Sequence, residues 1–111
     1  MRPPNRPTRV YPLEKIRDLI RKDKVKITHI ANTTANELGF SRTEIIDVVY
    51  SLEQKNFYHA VSDNKNNKSW QDVYKIEAKG IKLYIKLKIV SFDGETLLVL
   101  SFKEDTNLLE G

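Results

Sequence analysis

The sequence predicts an α+β fold in which N-terminal helices pack on one face of a four-stranded antiparallel sheet. The first half carries apolar residues at helical spacing behind recognisable helix-capping signals. The second half carries short runs that alternate apolar and polar residues, most clearly over residues 81–90. That alternation is typical of a strand with one buried face and one wet face. Helices followed by sequential strands favour α+β.

Three helices are predicted in the first half. Pro12 suits the first position of a helix that extends to about Lys22. A short second helix covers residues 31–38, and Gly39 provides its left-handed cap. Residues 41–44, Ser-Arg-Thr-Glu, form a capping box that begins the third helix.

The chain is predicted to be one domain, with a helical half at 10–54 and the sheet at 55–104. Three prolines and three arginines make residues 1–9 an extended or mobile basic arm, and this proline density argues against helix or a paired strand. Residues 25–28 are predicted to be a short extended link. Residues 105–111 are predicted to be a loose tail.

Two hairpins determine which residues of the predicted sheet meet. Asp93-Gly94 is a strong signal for a two-residue hairpin loop. The resulting cross-strand pairs are Phe92 with Glu95, Lys86 with Ser101 and Tyr84 with Lys103. In the preceding hairpin, a five-residue loop at 63–67 would place His59 opposite Gln71.

The outer face of this sheet collects cations around two polar residues and an aromatic one. Its members are His59, Gln71, Lys75, Lys82, Tyr84, Lys86, Lys88 and Lys103. A net charge of +4 and a pI near 9.3 are compatible with a polyanionic partner. For Lys82 and Lys88 the alternative is that edge lysines discourage aggregation between sheets. Trp70 and Tyr74 have the opposite parity and are predicted core anchors.

These side chains fit cleavage of RNA without a metal. Such cleavage needs a base for the 2′-hydroxyl, cations for the phosphorane and an acid for the leaving oxygen. His59 could perform either proton transfer near neutral pH. Lys103 could offset developing charge, Tyr84 could orient the phosphate or stack on a base, and Gln71 could hydrogen-bond a phosphate or base edge. The sequence shows no metal-ligand cluster, no glycine-rich phosphate loop and no cysteine.

Several segments resemble the motility quorum-sensing regulator (MqsR) toxins, bacterial members of the RelE-like toxin fold. The similarity covers roughly residues 9–104 and rests on 56–58, 70–74, 84–89 and 98–104. It implies a type II toxin: a metal-independent mRNA endoribonuclease that cuts at GC-containing sites and arrests growth. It also implies an antitoxin encoded beside the toxin, and no cofactor.

The resemblance also implies functional positions. Gln71, Tyr84 and Lys103 stand where the family has glutamine, tyrosine and lysine, and they coincide with the face predicted from strand parity. His59 stands where the family has lysine. Either histidine replaces that lysine as phosphate contact and proton carrier, or this site is weaker or differently selective. With these as catalytic residues, Lys75, Lys82, Lys86 and Lys88 become RNA contacts.

Two other functions use the same surface. A non-catalytic RNA- or DNA-binding regulatory module would bind with the same salt dependence and leave RNA intact. A protein-interaction domain would present the lysines to an acidic partner. The N-terminus lacks the apolar core of a signal peptide, and no apolar run is long enough to span a membrane, so we expect a cytoplasmic protein. The cleavage sequence, ribosome dependence and antitoxin surface stay open.

Overall fold

The computed structural model describes residues 5–6, 8–62, 69–91 and 93–106, and these form three helices against one mixed sheet. The helices are α1 (Leu13–Arg21), α2 (His29–Glu37) and α3 (Arg42–Tyr50), followed by a 3-10 turn at Gln54–Asn56. The strands are β1 (Asn5–Arg6), β2 (Val25–Ile27), β3 (Phe57–Ser62), β4 (Trp70–Ala78), β5 (Ile81–Ser91) and β6 (Glu95–Glu104). None of the described helices is long and apolar enough to cross a bilayer.

The sheet is larger than predicted. Within the described residues its strand order is β1-β3-β4-β5-β6-β2. The predicted antiparallel meander of β3 to β6 is confirmed, but β2 adds a parallel edge strand beside β6, with Val25 opposite Leu97 and Ile27 opposite Val99. The predicted extended conformation of residues 25–28 is confirmed at 25–27, but these residues are a paired strand and not only a link. Three residues are too few to reveal a period, and a parallel pairing to the last strand has no local signal.

Part of the predicted arm is also paired. Asn5 and Arg6 form β1, which lies antiparallel to β3 with Asn5 opposite Val61 and Arg6 opposite Ala60. The proline density argued against a paired strand, and that expectation is wrong at these two residues. Proline is compatible with the edge of a sheet, where one side of the strand needs no partner, and β1 is such an edge. Residues 1–4 and 7 lie outside the described residues.

Local capping explains where the helices begin and end. The capping box of α3 is present, since the Glu44 amide donates to the Ser41 hydroxyl (3.2 Å) and the Ser41 amide donates to the Glu44 carboxylate (2.9 Å). Gly39 has the predicted left-handed conformation, with φ +94°. Helix α2 begins two residues earlier than predicted because the Thr28 hydroxyl accepts the Ala31 amide and caps it.

The helices cover the inner face of the sheet, as predicted. Leu83, Ile85 and Leu87 of β5 are completely buried there. The predicted core anchor Tyr74 is also completely buried, whereas Trp70 is only partly buried. The same core contains Ile16 of α1, Ala31 and Ala35 of α2, Ile45 and Val49 of α3, and Leu97, Val99 and Phe102 of β6. The helices do not cover the outer face of the sheet, so that face is available for binding.

Asp72 is a buried carboxylate on the inner face. Its oxygens accept hydrogen bonds from the Val10 amide (2.9 and 3.0 Å) and the Tyr11 amide (2.8 Å). Burying a carboxylate is costly unless it is hydrogen-bonded, and these amides supply that compensation. Asp72 therefore fastens the segment before α1 to the centre of the sheet.

Two local irregularities set the register of the β5–β6 hairpin. Ser91 pairs with Glu95, so the predicted pairing of Phe92 with Glu95 is wrong and the loop has three residues, 92–94. The register then shifts by one residue between Lys86 and Leu87. This β-bulge compensates for the longer loop, so the predicted pairs Lys86–Ser101 and Tyr84–Lys103 are confirmed.

The β3–β4 hairpin differs by two residues from the prediction. Ser62 pairs with Trp70, which makes the connection residues 63–69 instead of 63–67. His59 therefore lies opposite Val73, and Gln71 lies opposite Val61. Because a shift of two residues preserves the side-chain face, His59 and Gln71 still share the outer surface.

Candidate active site

The outer face of the sheet is organised in rows that run across the strands, since directly opposed residues share a face. One row is Lys75, Tyr84 and Lys103. The next row is His59, Val73, Lys86 and Ser101. Three of the four predicted catalytic residues, His59, Tyr84 and Lys103, thus come from three different strands and lie in adjacent rows.

Tyr84 lies at the centre of a cationic cluster. The Lys103 ammonium is 5.1 Å from the centroid of its ring, and the Lys86 ammonium is 5.9 Å away. Burial raises the pKa of the Tyr84 phenol, with further contributions from Tyr58 and Asp105, so the phenol keeps its proton and can donate it in a hydrogen bond. Burial also lowers the pKa of Lys86, and the neighbouring Lys103 charge lowers it further.

The surroundings of His59 favour its neutral form. Burial lowers the pKa of the imidazole below its usual 6.5, and the charges of Lys75 and Lys86 lower it further. A neutral imidazole can accept a proton at neutral pH. His59 and Lys86 stand on either side of the completely buried Val73, with their Cα atoms two strand spacings apart, about 10 Å.

Tyr58 belongs to this cluster although strand parity does not predict it. A β-bulge lies between Phe57 and His59: Phe57 faces Tyr74 in the core, with ring centroids 5.6 Å apart, and His59 faces outward. The extra residue, Tyr58, packs its ring 4.1 Å from that of His59 and lies 3.9 Å from the Lys75 ammonium. The available signal was its adjacency to the candidate histidine.

Asp105 is the second residue that the sequence did not indicate. The predicted tail begins as an ordered segment: the Asp105 amide donates to the Lys82 carbonyl at 2.7 Å. The Asp105 carboxylate forms an ion pair with Lys75 at 3.3 Å, and these side chains are only 17% and 29% exposed. Glu104, Asp105 and Thr106 line a cavity of about 320 Å³ with Tyr84 and Lys103. Residues 107–111 lie outside the described residues.

The other predicted site residues flank this centre. Gln71 is on the same face but four residues from Lys75 along β4, about 13 Å away. Lys82 is exposed opposite Glu77, and the Lys88 ammonium donates to the Ser69 hydroxyl. The structure thus brings Lys75 and Lys86 into the Tyr84 cluster and leaves Gln71, Lys82 and Lys88 around it.

A larger concavity lies elsewhere and is a weaker candidate. It has a volume of about 740 Å³ and is bounded by β2 and the β5–β6 hairpin, with Lys24, Lys26 and Leu98 among its lining residues. It contains none of the predicted site residues. Volume alone indicates no chemistry, whereas the Tyr84 cluster combines a neutral imidazole with several cations. Among the described residues, no three His, Cys, Asp or Glu side chains are grouped so that they could hold a metal ion.

Comparisons with known proteins agree with this architecture. A family model described as "Motility quorum-sensing regulator, toxin of MqsA" matches residues 8–104. The curated protein "mRNA interferase toxin MqsR" of Escherichia coli (strain K12) is 27% identical over 92 residues, which cover 83% of this chain and 90% of that protein. Since the family match includes both the helical half and the sheet, the chain belongs to the motility quorum-sensing regulator family, the toxins of MqsA.

Proposed function

We propose that this protein is the toxin of a toxin–antitoxin pair and acts as an mRNA endoribonuclease that needs no metal. Its family and the activity named for its Escherichia coli relative support the reaction class. The observation that carries the mechanism is the row Lys75–Tyr84–Lys103 beside His59 and Lys86 on the face that the helices leave uncovered. The proposed substrate is mRNA in the cytoplasm, cut at GC-containing sites.

The reaction begins with proton transfer to His59. A phosphodiester placed above Val73 has the imidazole on one side and Lys86 on the other. Neutral His59 removes the proton of the 2′-hydroxyl while the 2′-oxygen attacks the adjacent phosphorus. The lowered pKa of His59 serves this step, because the imidazole is unprotonated and available at neutral pH.

Positive charge and a hydrogen-bond donor then stabilise the phosphorane. Lys103 supplies an ammonium beside Tyr84, and the protonated Tyr84 phenol donates to a non-bridging oxygen. These groups are already in place before the reaction, so little reorganisation is needed as charge develops. The partial burial of Tyr84 strengthens its hydrogen bond relative to water.

Lys86 is the proposed acid. Its lowered pKa makes its ammonium a better proton donor than an exposed lysine, and it stands opposite His59 across the phosphate position. Lys86 gives a proton to the departing 5′-oxygen as the P–O5′ bond breaks. The products are a 2′,3′-cyclic phosphate and a 5′-hydroxyl. Gln71, Lys75, Lys82 and Lys88 bind the flanking nucleotides.

Purified protein incubated with RNA and excess EDTA tests this chemistry. We expect cleavage at the same rate as without the chelator, because every proton and charge in the scheme comes from a side chain. The fragments should carry cyclic or 3′-phosphate and 5′-hydroxyl ends, and mapped 5′ ends should cluster at GC-containing sequences. The reaction contains no ribosomes, so it also tests whether cutting depends on them. RNA binding without cleavage would instead identify the non-catalytic module.

The pH dependence of cleavage tests the role of His59. Because the pKa of His59 is lowered, we expect the acid limb of kcat/KM to lie at lower pH than an ordinary histidine would give, with its midpoint below 6.5. The decline follows from protonation of the base. His59→Ala should lower the rate and remove this acid limb, whereas His29→Ala, at an exposed position outside the cluster, should retain both. An unchanged profile in His59→Ala would remove His59 as the base.

A further inference from the structure

We propose that Tyr58 is a positioning residue that holds the His59 imidazole in its reactive orientation, and that Lys75 and Asp105 hold Tyr58 in turn. The inference deepens the proposed function, since it assumes that His59 is the base. It concerns residues contributed by three separate parts of the chain: the bulge of β3, the middle of β4 and the segment that follows β6.

Four side chains form a continuous stack on the outer face. The Asp105 carboxylate is 3.3 Å from the Lys75 ammonium, which lies 3.9 Å from the centroid of the Tyr58 ring. The Tyr58 and His59 ring centroids are 4.1 Å apart, with their planes inclined by 36°. Cation–π contact and ring stacking both favour this arrangement. Each member is thus oriented by its neighbour.

The exposure of Tyr58 indicates that its side chain does not contribute to packing of the hydrophobic core. Tyr58 as a residue remains 44% exposed, while the neighbouring Phe57 turns inward against Tyr74. The bulge makes this possible, because one extra residue allows both Tyr58 and His59 to contact the outer cluster. A bulge that re-aims a side chain beside a candidate catalytic group is typical of active sites.

The charge of Asp105 also needs an explanation. A carboxylate 3.3 Å from Lys75, in a cavity that Lys103 also lines, weakens the attraction of this face for a polyanion. The Asp105 carboxylate offsets this cost if it holds the Lys75 ammonium over the Tyr58 ring, because a lysine without that anchor would extend into solvent. The backbone bond from the Asp105 amide to the Lys82 carbonyl places the carboxylate at that position.

The stack has two consequences for His59. It covers the imidazole, which excludes water, and it keeps the Lys75 charge close. Among the described side chains, the charges that act on His59 are Lys75 from β4 and Lys86 from β5, and the Tyr58 ring stacks on it. Tyr84, Lys103 and Asp105 belong to the same cluster and act on these neighbours. Removing the Tyr58 ring opens the imidazole to solvent and releases Lys75, and both changes favour protonation.

NMR titration of RNA-free protein tests this without any nuclease assay. The chain has only two histidines, so the exposed His29 provides an internal reference. We expect the titration of His59 to move up toward 6.5 in Tyr58→Ala and to be retained in Tyr58→Phe, which keeps the ring and removes only the hydroxyl. An unchanged His59 titration in Tyr58→Ala would overturn the proposal, whatever the fate of the nuclease assignment.

Single-turnover cleavage gives the second readout. Tyr58→Ala should lower kcat about tenfold or more and shift its acid limb upward, and Tyr58→Phe should restore both. If Tyr58 were instead a platform for an RNA base, KM would rise in Tyr58→Ala while the acid limb stayed in place. That result would contradict a positioning role.

The variant Asp105→Asn tests whether the Asp105 carboxylate anchors Lys75 or only obstructs binding of the RNA phosphate. Loss of the carboxylate should tighten RNA binding, because the face becomes more positive, yet it should lower kcat because Lys75 is no longer anchored. A lower KM together with a lower kcat would support the stack. A rise in both affinity and kcat would show that Asp105 merely obstructs the phosphate site and would overturn its proposed role.

Discussion

Replacing Lys103 by alanine is expected to slow RNA cleavage at least about tenfold, with the loss mainly in kcat. The Lys103 ammonium lies 5.1 Å from the Tyr84 ring centroid, and Lys103 belongs to the row that faces the proposed phosphate position. A tenfold loss corresponds to about 1.4 kcal/mol of transition-state stabilisation. This is a conservative figure, since removal of one preorganised oxyanion donor costs ~2.7–4 kcal/mol. Single-turnover rates on a GC-containing RNA measure the effect.

Lys22→Ala is the matched control for this prediction. It removes the same charge from the exposed C-cap of α1, away from the outer face of the sheet, so it corrects for a general loss of attraction to RNA. If Lys103→Ala and Lys22→Ala slowed cleavage equally, Lys103 would be a source of nonspecific binding and the proposed charge stabilisation would fail.

Asp72→Ala is expected to lower the free energy of unfolding by about 3 kcal/mol or more. The carboxylate accepts the Val10 and Tyr11 amides inside the protein, and alanine leaves both donors without this acceptor. Hydrogen bonds to a charged group contribute about 1.5–3 kcal/mol each, and an unsatisfied buried group adds a desolvation cost. Urea unfolding followed by circular dichroism measures the change.

Asp18→Ala is the control for stability. The Asp18 side chain on α1 is 47% exposed and forms surface ion pairs with Arg21 (3.7 Å) and Lys22 (3.0 Å). Exposed ion pairs contribute little to stability, so the free energy of unfolding should change by less than about 0.5 kcal/mol in Asp18→Ala. A loss below 1 kcal/mol in Asp72→Ala, at an unchanged urea dependence, would mean that the segment before α1 is not fastened through this carboxylate.

The face of each central strand could be predicted because it depends on a period of two residues. Residues 81–90 alternate between apolar and polar so regularly that Tyr84 and Lys86 are predicted on the face of β5 away from Leu83 and Ile85. The pairing of Tyr84 with Lys103 is confirmed, although its derivation assumed a loop one residue too short. The bulge between Lys86 and Leu87 restored the register. For His59 the register differed by two residues, and parity still placed it correctly.

Residues in segments that show no regular alternation of apolar and polar side chains could not be placed in this way. The strand β2 is too short to show alternation, and its partner β6 lies about 70 residues later in the chain. Tyr58 has the parity of a buried residue until the bulge is known, and Asp105 follows the last strand in a segment with no strand or helix signal. Both join the active-site cluster only through contacts between distant elements.

The chain's own residue order determined the α+β class, the helix caps at Gly39 and Ser41, and the sidedness of β4, β5 and β6, because each depends on neighbours a few positions away. Only the tertiary structure decided the sheet edges, the loop lengths and the stack from Asp105 to His59. Those features depend on where bulges interrupt the ladders and on which distant backbone groups find partners, and no local pattern encodes either.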